Sequence, residues 1–370
     1  MALEAGPLIA AGILDVMQIA RHARRVALGL ALLLTLAPPA LALPMLLVDA
    51  RSLQVLYAED AGQPWHPASL TKMMTAYLAF AAIKEGRVGL DTPVIVSQHA
   101  WNQAPAKSGL DKGAAVSLRD ALYIMLVKSA NDMAVAVAET IGGDEKTFVR
   151  QMNLMAAQMD LTATHFENAN GLDNAGQVSS ARDMAMLALY LQRDFPQYAD
   201  MFQTEAVKLG KTTLKTSNEM LGHFAGMTGM KTGYICASGL NIVASVEREG
   251  RSLIAVVLGG SSARERNELA AQLFLRGLSG ALTATGQTVV DLRNVPGEPV
   301  DMRPLICGKD AKTYVKEREQ AFPMGLKGQP SYLTDSIAGP TYVATDLGKL
   351  VTGVPLPRPR PDMLRQLALN

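Results

Sequence analysis

Ser69 and Lys72 stand three residues apart in Pro67-Ala68-Ser69-Leu70-Thr71-Lys72 and open an apolar run, Met73-Met74-Thr75-Ala76-Tyr77-Leu78-Ala79-Phe80. If that run is a helix, positions 69 and 72 share a face. A hydroxyl held beside an amine can work as nucleophile and base. Two further stretches carry what such a pair would need. Ser129-x-Asn131 supplies a hydroxyl able to pass a proton and an amide able both to donate and to accept. Lys231-Thr232-Gly233 supplies a cation and a hydroxyl for an anionic group, and a glycine that lets a strand's backbone come close to a ligand.

Each stretch also has a plainer use. Ser69 could be only a helix cap and Lys72 a solvated side chain. Ser129 and Asn131 are common turn and N-cap residues, and Lys231-Thr232-Gly233 could simply start a strand. A chain of this length holds on the order of one Ser-x-x-Lys by chance. The joint pattern singles them out: the first opens a helix, the second lies on a turn between helices, the third on a strand. At a helix N-terminus Ser69 sits near the positive end of the dipole, and its own N–H can face an oxyanion. Lys72, one turn deeper, is partly desolvated. Desolvation and a second cation, Lys231, both lower an amine's pKa.

The elements that must position these residues follow from pattern. Residues 45–59 hold two apolar runs around Asp49-Ala50-Arg51-Ser52 and read as a hairpin. From 69 to about 205 the signal is mostly helical. Ser117-Leu118-Arg119-Asp120 caps a helix that ends near Lys128, and a second starts at Asn131 or Asp132 and stops at Gly142-Gly143. Residues 148–159 are amphipathic, 169–176 are turn-rich, and Ser180-Ala181-Arg182-Asp183 caps a further helix. A strand is expected to begin at Lys231. Residues 240–246 and 253–258 form a hairpin, and a helix spans about 262–278. The fold class is therefore α+β. Strands from the two ends pair into one mainly antiparallel sheet, the helical block forms a separate lobe, and a groove lies between them.

Composition narrows the class further. The chain has 370 residues, 49% hydrophobic and 19% charged, with a formal net charge of +1, which permits a sizeable core and excludes wholesale disorder. Beyond residue 42, 32 basic residues balance 32 acidic ones, so there is no global footprint for nucleic acid. Residues 1–42 read as an export signal, with the true start at Met17: Arg21, Arg24 and Arg25 precede an eleven-residue apolar segment, Pro38-Pro39 and Ala40-Leu41-Ala42. An uncleaved anchor or a buried helix is the alternative. Export into an oxidising compartment leaves Cys236 and Cys307 either as one disulfide or as two buried thiols. Cys236 reads as structural rather than reactive. The histidines show no zinc-ligand spacing, so no metal or other cofactor is expected. Residues 283–370 hold ten of the 19 prolines and read as an extension, weakly structured or packed on the surface. No amphipathic helix ends the chain, so membrane attachment there is unsupported.

The three motifs, together with Pro67-Ala68-Ser69-Leu70-Thr71-Lys72-Met73-Met74-Thr75-Ala76-Tyr77, Lys128-Ser129-Ala130-Asn131-Asp132, Asn170-Gly171-Leu172-Asp173, Ser179-Ser180-Ala181-Arg182-Asp183-Met184-Ala185 and Met230-Lys231-Thr232-Gly233-Tyr234, resemble the D-alanyl-D-alanine carboxypeptidases, the low-molecular-mass penicillin-binding proteins. The likeness covers about two thirds of the chain. The family more often has Ser-Gly-Asn in the middle motif; Ala130 leaves both functional side chains in place. The resemblance implies a serine-β-lactamase-like fold, with a catalytic domain over 43–282. It implies that Ser69 attacks the penultimate D-alanine carbonyl of peptidoglycan stem peptides, that Lys72 is its base, and that Ser129 protonates the departing D-alanine. Lys231 and Thr232 would bind the terminal carboxylate, beside Asn131 and Gly233. The N–H groups of Ser69 and Tyr234 would form the oxyanion hole, and penicillins would acylate Ser69. Many family members add a strand-rich domain and a terminal amphipathic helix, and residues 283–370 match neither.

Two rivals use the same groove. A β-lactamase of class A type would need a glutamate-held water. Glu167-Asn168-Ala169-Asn170 lies at a suggestive distance but lacks the expected leucine and reads as loop. A non-catalytic peptidoglycan-binding protein would not require the intact serines and lysines.

Overall fold

The computed structural model describes residues 42–349. The stretch through residue 41, where an export signal is expected, and the Pro-Arg repeat at 355–361 lie outside the described residues.

Strands β1 (Met45–Asp49) and β2 (Val55–Glu59) form the expected antiparallel hairpin. A 3-10 turn, Ala68–Thr71, leads into α1 (Lys72–Lys84). Ten residues of α1 are buried, so it is apolar all round and runs through the middle of the helical lobe. β3 (Pro93–Ile95), the short α2 (Gln98–Trp101) and β4 (Ala115–Ser117) form a small excursion with β3 and β4 paired. α3 (Leu118–Val127) and α4 (Asn131–Gly142) follow, separated by a three-residue bend. The Ser117 hydroxyl caps α3 by accepting from the Asp120 N–H at 3.1 Å. α5 (Glu145–Gln158), α6 (Ala181–Asp194) and α7 (Ala199–Gln203) complete the lobe.

The next elements depart from expectation. β5 (Ala206–Leu209) and β6 (Thr212–Lys215) form a second hairpin where none was read, and α8 (Met220–His223) follows it. β7 (Met227–Ile235) begins four residues before Lys231, which places that lysine in mid-strand. β8 (Gly239–Arg248), β9 (Arg251–Gly260) and α9 (Ala263–Leu278) match the sequence reading.

The main sheet has the order β2-β1-β9-β8-β7 and is antiparallel throughout. β8 and β9 are nearly continuous apolar runs because both faces are covered. On one face α9 buries Leu269 and Phe274 against Leu47, Ile242 and Val257. On the other, α6 packs against β1, β8 and β9. Among the described residues β7 has a ladder partner on one side only, and its other edge faces the lobe.

Residues 283–349 run over the surface. Thr285 and Val289 bond to Val55 and Leu53 beside β2. α10 (Arg303–Ile306) follows, and α11 (Ala311–Ala321) bonds to α9 through Arg318 and Glu265 at 2.7 Å. The chain then crosses the molecule to add β10 (Thr341–Ala344) parallel to β5, where Tyr342 stacks on Tyr123 with centroids 3.6 Å apart. Among the described residues, no helix is long and apolar enough to cross a membrane.

Candidate active site

The groove lies between that edge of β7 and the helical lobe, with a volume of about 1230 Å³ open to solvent. Ser69 is in the 3-10 turn at its floor. Asn241 of β8 fixes the approach to that turn. Its amide donates to the His66 and Pro67 carbonyls at 2.9 and 3.3 Å, and its oxygen accepts from the Gly259 N–H at 3.0 Å. A Cβ at Gly233 would lie 2.9 Å from the Pro67 oxygen and 3.0 Å from the Ser69 nitrogen. Only a glycine lets β7 pass this close.

Lys72 is fully buried beneath Ser69. Its Nζ lies 2.9 Å from Ser69 Oγ, 2.7 Å from Asn131 Oδ1 and 2.5 Å from the Asn170 carbonyl. Burial above all, and then the positive Lys231, hold its pKa well below the ordinary lysine value, against an opposing pull from Asp132. Asn131 is itself held: its amide donates to Ala104 O at 2.9 Å and its backbone N–H to Ala106 O at 2.8 Å. Asp132 accepts from Ser108 N and Oγ, which ties the same loop to the start of α4.

Ser129 occupies the bend between α3 and α4 with a left-handed backbone, φ 61°. That conformation is costly for a residue with a Cβ. Its Oγ lies 3.0 Å from Lys231 Nζ, which also donates to Thr232 O at 2.8 Å. Lys231 is buried; burial first and Arg266 second push its pKa down to about 7. Thr232 and Gly233 line the groove beside it. Tyr234 lies at the far end of this stretch with its ring half-exposed. Of the eight residues proposed from the sequence as catalytic or substrate-binding, six line this groove, and Lys72 and Lys231 are buried behind its lining against Ser69 and Ser129.

Sequence reasoning missed three parts. Arg266 is buried in the groove wall near Lys231, with burial lowering its pKa to about 10. Its signal was its position: Arg266, Leu269 and Leu273 share one helical stripe, and a cation on a buried stripe is unusual. The Asn170 carbonyl is a backbone atom and leaves no mark in residue type. Asn241 looks like one polar residue in a hydrophobic strand. Glu167 turns away from Ser69: its carboxylate faces His165 at 3.1 Å and would contact a Cβ at Gly176. That orientation is not the one a deacylating glutamate requires. Cys236 and Cys307 are joined as a disulfide, which settles the open alternative.

The sequence profile of the D-alanyl-D-alanine carboxypeptidases matches residues 36–262. The chain is 37% identical over 235 residues to the D-alanyl-D-alanine carboxypeptidase DacD of Escherichia coli (strain K12), a match covering 62% of this chain and 61% of that protein. It thus spans about three fifths of that relative's length. Penicillin binding protein 6B from Escherichia coli superposes with a TM-score of 0.61 at 34% identity, over 66% of this chain and 80% of that one. Penicillin-Binding Protein D2 from Listeria monocytogenes, in its cefotaxime-bound form, gives 0.59 at 27% identity, over 65% of this chain and 100% of that one. The fold is the penicillin-binding-protein fold.

Proposed function

The chain belongs to the D-alanyl-D-alanine carboxypeptidase family, and from that premise we propose that it is an exported serine carboxypeptidase. It removes the terminal D-alanine from peptidoglycan stem pentapeptides through an acyl-enzyme on Ser69, and it serves cell-wall maturation in the periplasm or cell envelope. β-Lactams act on it as inhibitors that acylate the same serine. Residues 43–282 are its catalytic domain, residues 1–42 its export signal and 283–370 an extension.

One observation carries this reading: the arrangement of acceptors around the buried Lys72 amine. A neutral amine has two N–H bonds and one lone pair. Asn131 Oδ1 and the Asn170 carbonyl are acceptors only at those atoms, so they take the two N–H bonds. The lone pair is then left for the Ser69 O–H at 2.9 Å. Ser69 Oγ attacks the penultimate carbonyl as its proton passes to Lys72. The N–H groups of Ser69 and Tyr234 receive the oxyanion. The C–N bond breaks as Ser129 gives its proton to the departing amine; the proton Lys72 took from Ser69 then passes to Ser129, which leaves Lys72 neutral for the next step and Lys231 charged. Lys231, Thr232 and Arg266 hold the terminal carboxylate, while Asn131 and Gly233 orient the peptide. Water then attacks the ester and frees Ser69.

Penicillin labelling followed by peptide mapping tests this reading, together with D-alanine release from a muramyl pentapeptide. Label on the peptide containing Ser69, lost along with D-alanine release in Ser69→Ala, is the expected result. Label in the Ser69→Ala protein would overturn the assignment.

A further inference from the structure

The mechanism leaves unused a cluster at the mouth of the groove, where the extension returns to it. Met302 is fully buried, and its N–H donates to Ala237 O at 3.0 Å. Five residues on, Cys307 is bonded to Cys236. The Tyr234 hydroxyl lies 3.4 Å from Cys307 Sγ and 3.9 Å from Cys236 Sγ, so the tip of its side chain rests against the disulfide. Next to Met302, Arg303 donates to both oxygens of Asp173 at 2.7 Å each and to Asp301 at 2.8 Å. Asp173 ends the turn Asn170-Gly171-Leu172. In that turn the Asn170 carbonyl holds Lys72, and Gly171 packs on the Ala68 carbonyl. Leu172 and Tyr234 line the groove from its two banks. One short segment, 301–307, therefore grips both banks of the same mouth.

We propose that residues 301–307 are a positioning strap for the acylation step. Arg303 acts through Asp173 on the turn that orients Lys72, and Cys307 acts through Cys236 on the Tyr234 end of β7. The proposal rests on the function reading above. With the carboxylate at Lys231 and Thr232 and the reacting carbonyl by Tyr234, the rest of the peptide runs on past Tyr234 toward Cys236. A strand advances about 3.3 Å per residue, so the strap stands where the acyl donor leaves the groove. An exposed ion pair alone contributes little, because aligning two long side chains costs entropy. Here Nη2 of Arg303 contacts both oxygens of Asp173 while Nη1 binds Asp301, and the segment is anchored by a covalent bond four residues away. Its alignment is largely set before the contact forms. Displacements well under 1 Å at reacting groups already change rates severalfold.

The test compares Arg303→Gln, Asp173→Asn, their double variant and Cys236→Ser/Cys307→Ser in the full chain. The readout is the penicillin acylation rate per titratable active site across pH. Each variant is expected to slow acylation by about 3–10-fold. The Arg303→Gln/Asp173→Asn pair should be no slower than either single variant, and Arg303→Lys should recover part of the rate. The acid limb should move to higher pH, since a looser turn admits water to Lys72 and raises its pKa. A merely structural role would lower the titratable fraction and leave rate and limb unchanged. The side chains of Arg303 and Asp173 are 42% and 46% exposed, so their replacement does not unmake the core. Rates within twofold of wild type with an unmoved limb, or additive effects in the double variant, would overturn the strap alone. A wild-type chain that penicillin does not acylate would overturn both readings.

Discussion

The amine of Lys231 lies 3.0 Å from the hydroxyl of Ser129, and this contact joins the edge strand of the sheet to the bend between two helices of the lobe. It gives Ser129 a charged neighbour that can steer its proton, and gives Lys231 a partner facing the groove. Replacing Ser129 with alanine removes the relay while leaving Ser69 and Lys72 in place. We expect Ser129→Ala to slow D-alanine release by roughly 10²–10³-fold, with little change in melting temperature. Mass spectrometry of the intact protein after a penicillin pulse checks this. Acyl-enzyme forming and decaying at wild-type rates would remove Ser129 from the mechanism.

In the proposed mechanism the two lysines predict a bell-shaped pH profile. Lys72 acts as a base only when neutral, so the rate rises as pH passes its depressed pKa. Lys231 holds a carboxylate only when charged, so kcat/KM falls as pH passes about 7. A bound carboxylate raises the pKa of Lys231, so the alkaline limb of kcat lies at higher pH than that of kcat/KM. Rates of D-alanine release between roughly pH 5 and 10 separate the two limbs. Lys231→Gln should erase the alkaline limb of kcat/KM, and persistence of that limb in the variant counts against the assignment.

Much of this site was legible because its chemistry lies in short local motifs on strongly patterned elements. Ser69-x-x-Lys72 opens a helix, Ser129-x-Asn131 spans a helix junction, and Lys231-Thr232-Gly233 lies within a strand. What escaped depends on long-range pairing. β5 and β6 are only four residues each, and β10 joins β5 from more than a hundred residues away, so no local period marks them. The extension looks weakly structured in sequence because its anchors are single residues: Met302, Cys307, Arg318 and Tyr342. Arg266 was hidden by type, since an arginine on a helix is ordinarily a surface residue.

Burying two ammonium-bearing side chains should cost stability. The folded-state pKa of Lys231 is about 7, against 10.5 for the free side chain. Between those values the unfolded chain binds more protons than the native one. This group's contribution to stability therefore rises with pH across that window and is lost as pH falls toward 7. Lys231→Met should raise the melting temperature at pH 7 by a few degrees, equivalent to about 1–3 kcal/mol, while weakening the binding of carboxylate-bearing substrates. Thermal unfolding of both proteins at pH 7 and near pH 10 measures it. The gain should shrink at the higher pH, and a gain independent of pH would refute the linkage.

Asn241 is fully buried and bonded on both sides of its amide. Asn241→Leu is close in volume but leaves the Gly259 N–H and the His66 carbonyl without their partner. An orphaned buried polar group costs about 1–3 kcal/mol. The expected result is a fall of several degrees in melting temperature with a slower penicillin acylation rate, because the same amide anchors the loop leading to Ser69. Urea titration and acylation kinetics report the two effects separately. Unchanged acylation alongside lost stability would confine Asn241 to the core.

Gly171 offers the most local test of how the floor of the groove is built. Its φ is +83°, and a Cβ there would sit 1.9 Å from the Ala68 carbonyl oxygen and 2.9 Å from the Ser69 nitrogen. Gly171→Ala must therefore push the turn carrying the Asn170 carbonyl away from the one carrying Ser69. The left-handed backbone adds about 1 kcal/mol of its own. Separation of these turns draws the Lys72 amine from the Ser69 hydroxyl, so acylation should fall by roughly 10²-fold or more in a protein that retains its far-UV spectrum. Gly176→Ala is the matched control. A Cβ there meets only the Glu167 side chain, whose carboxylate can swing aside. It should acylate within about twofold of wild type, since an exposed change away from such contacts is nearly neutral. Equal acylation rates in the two variants would mean that the packing of Gly171 on Ala68 does not set the geometry of Ser69 and Lys72.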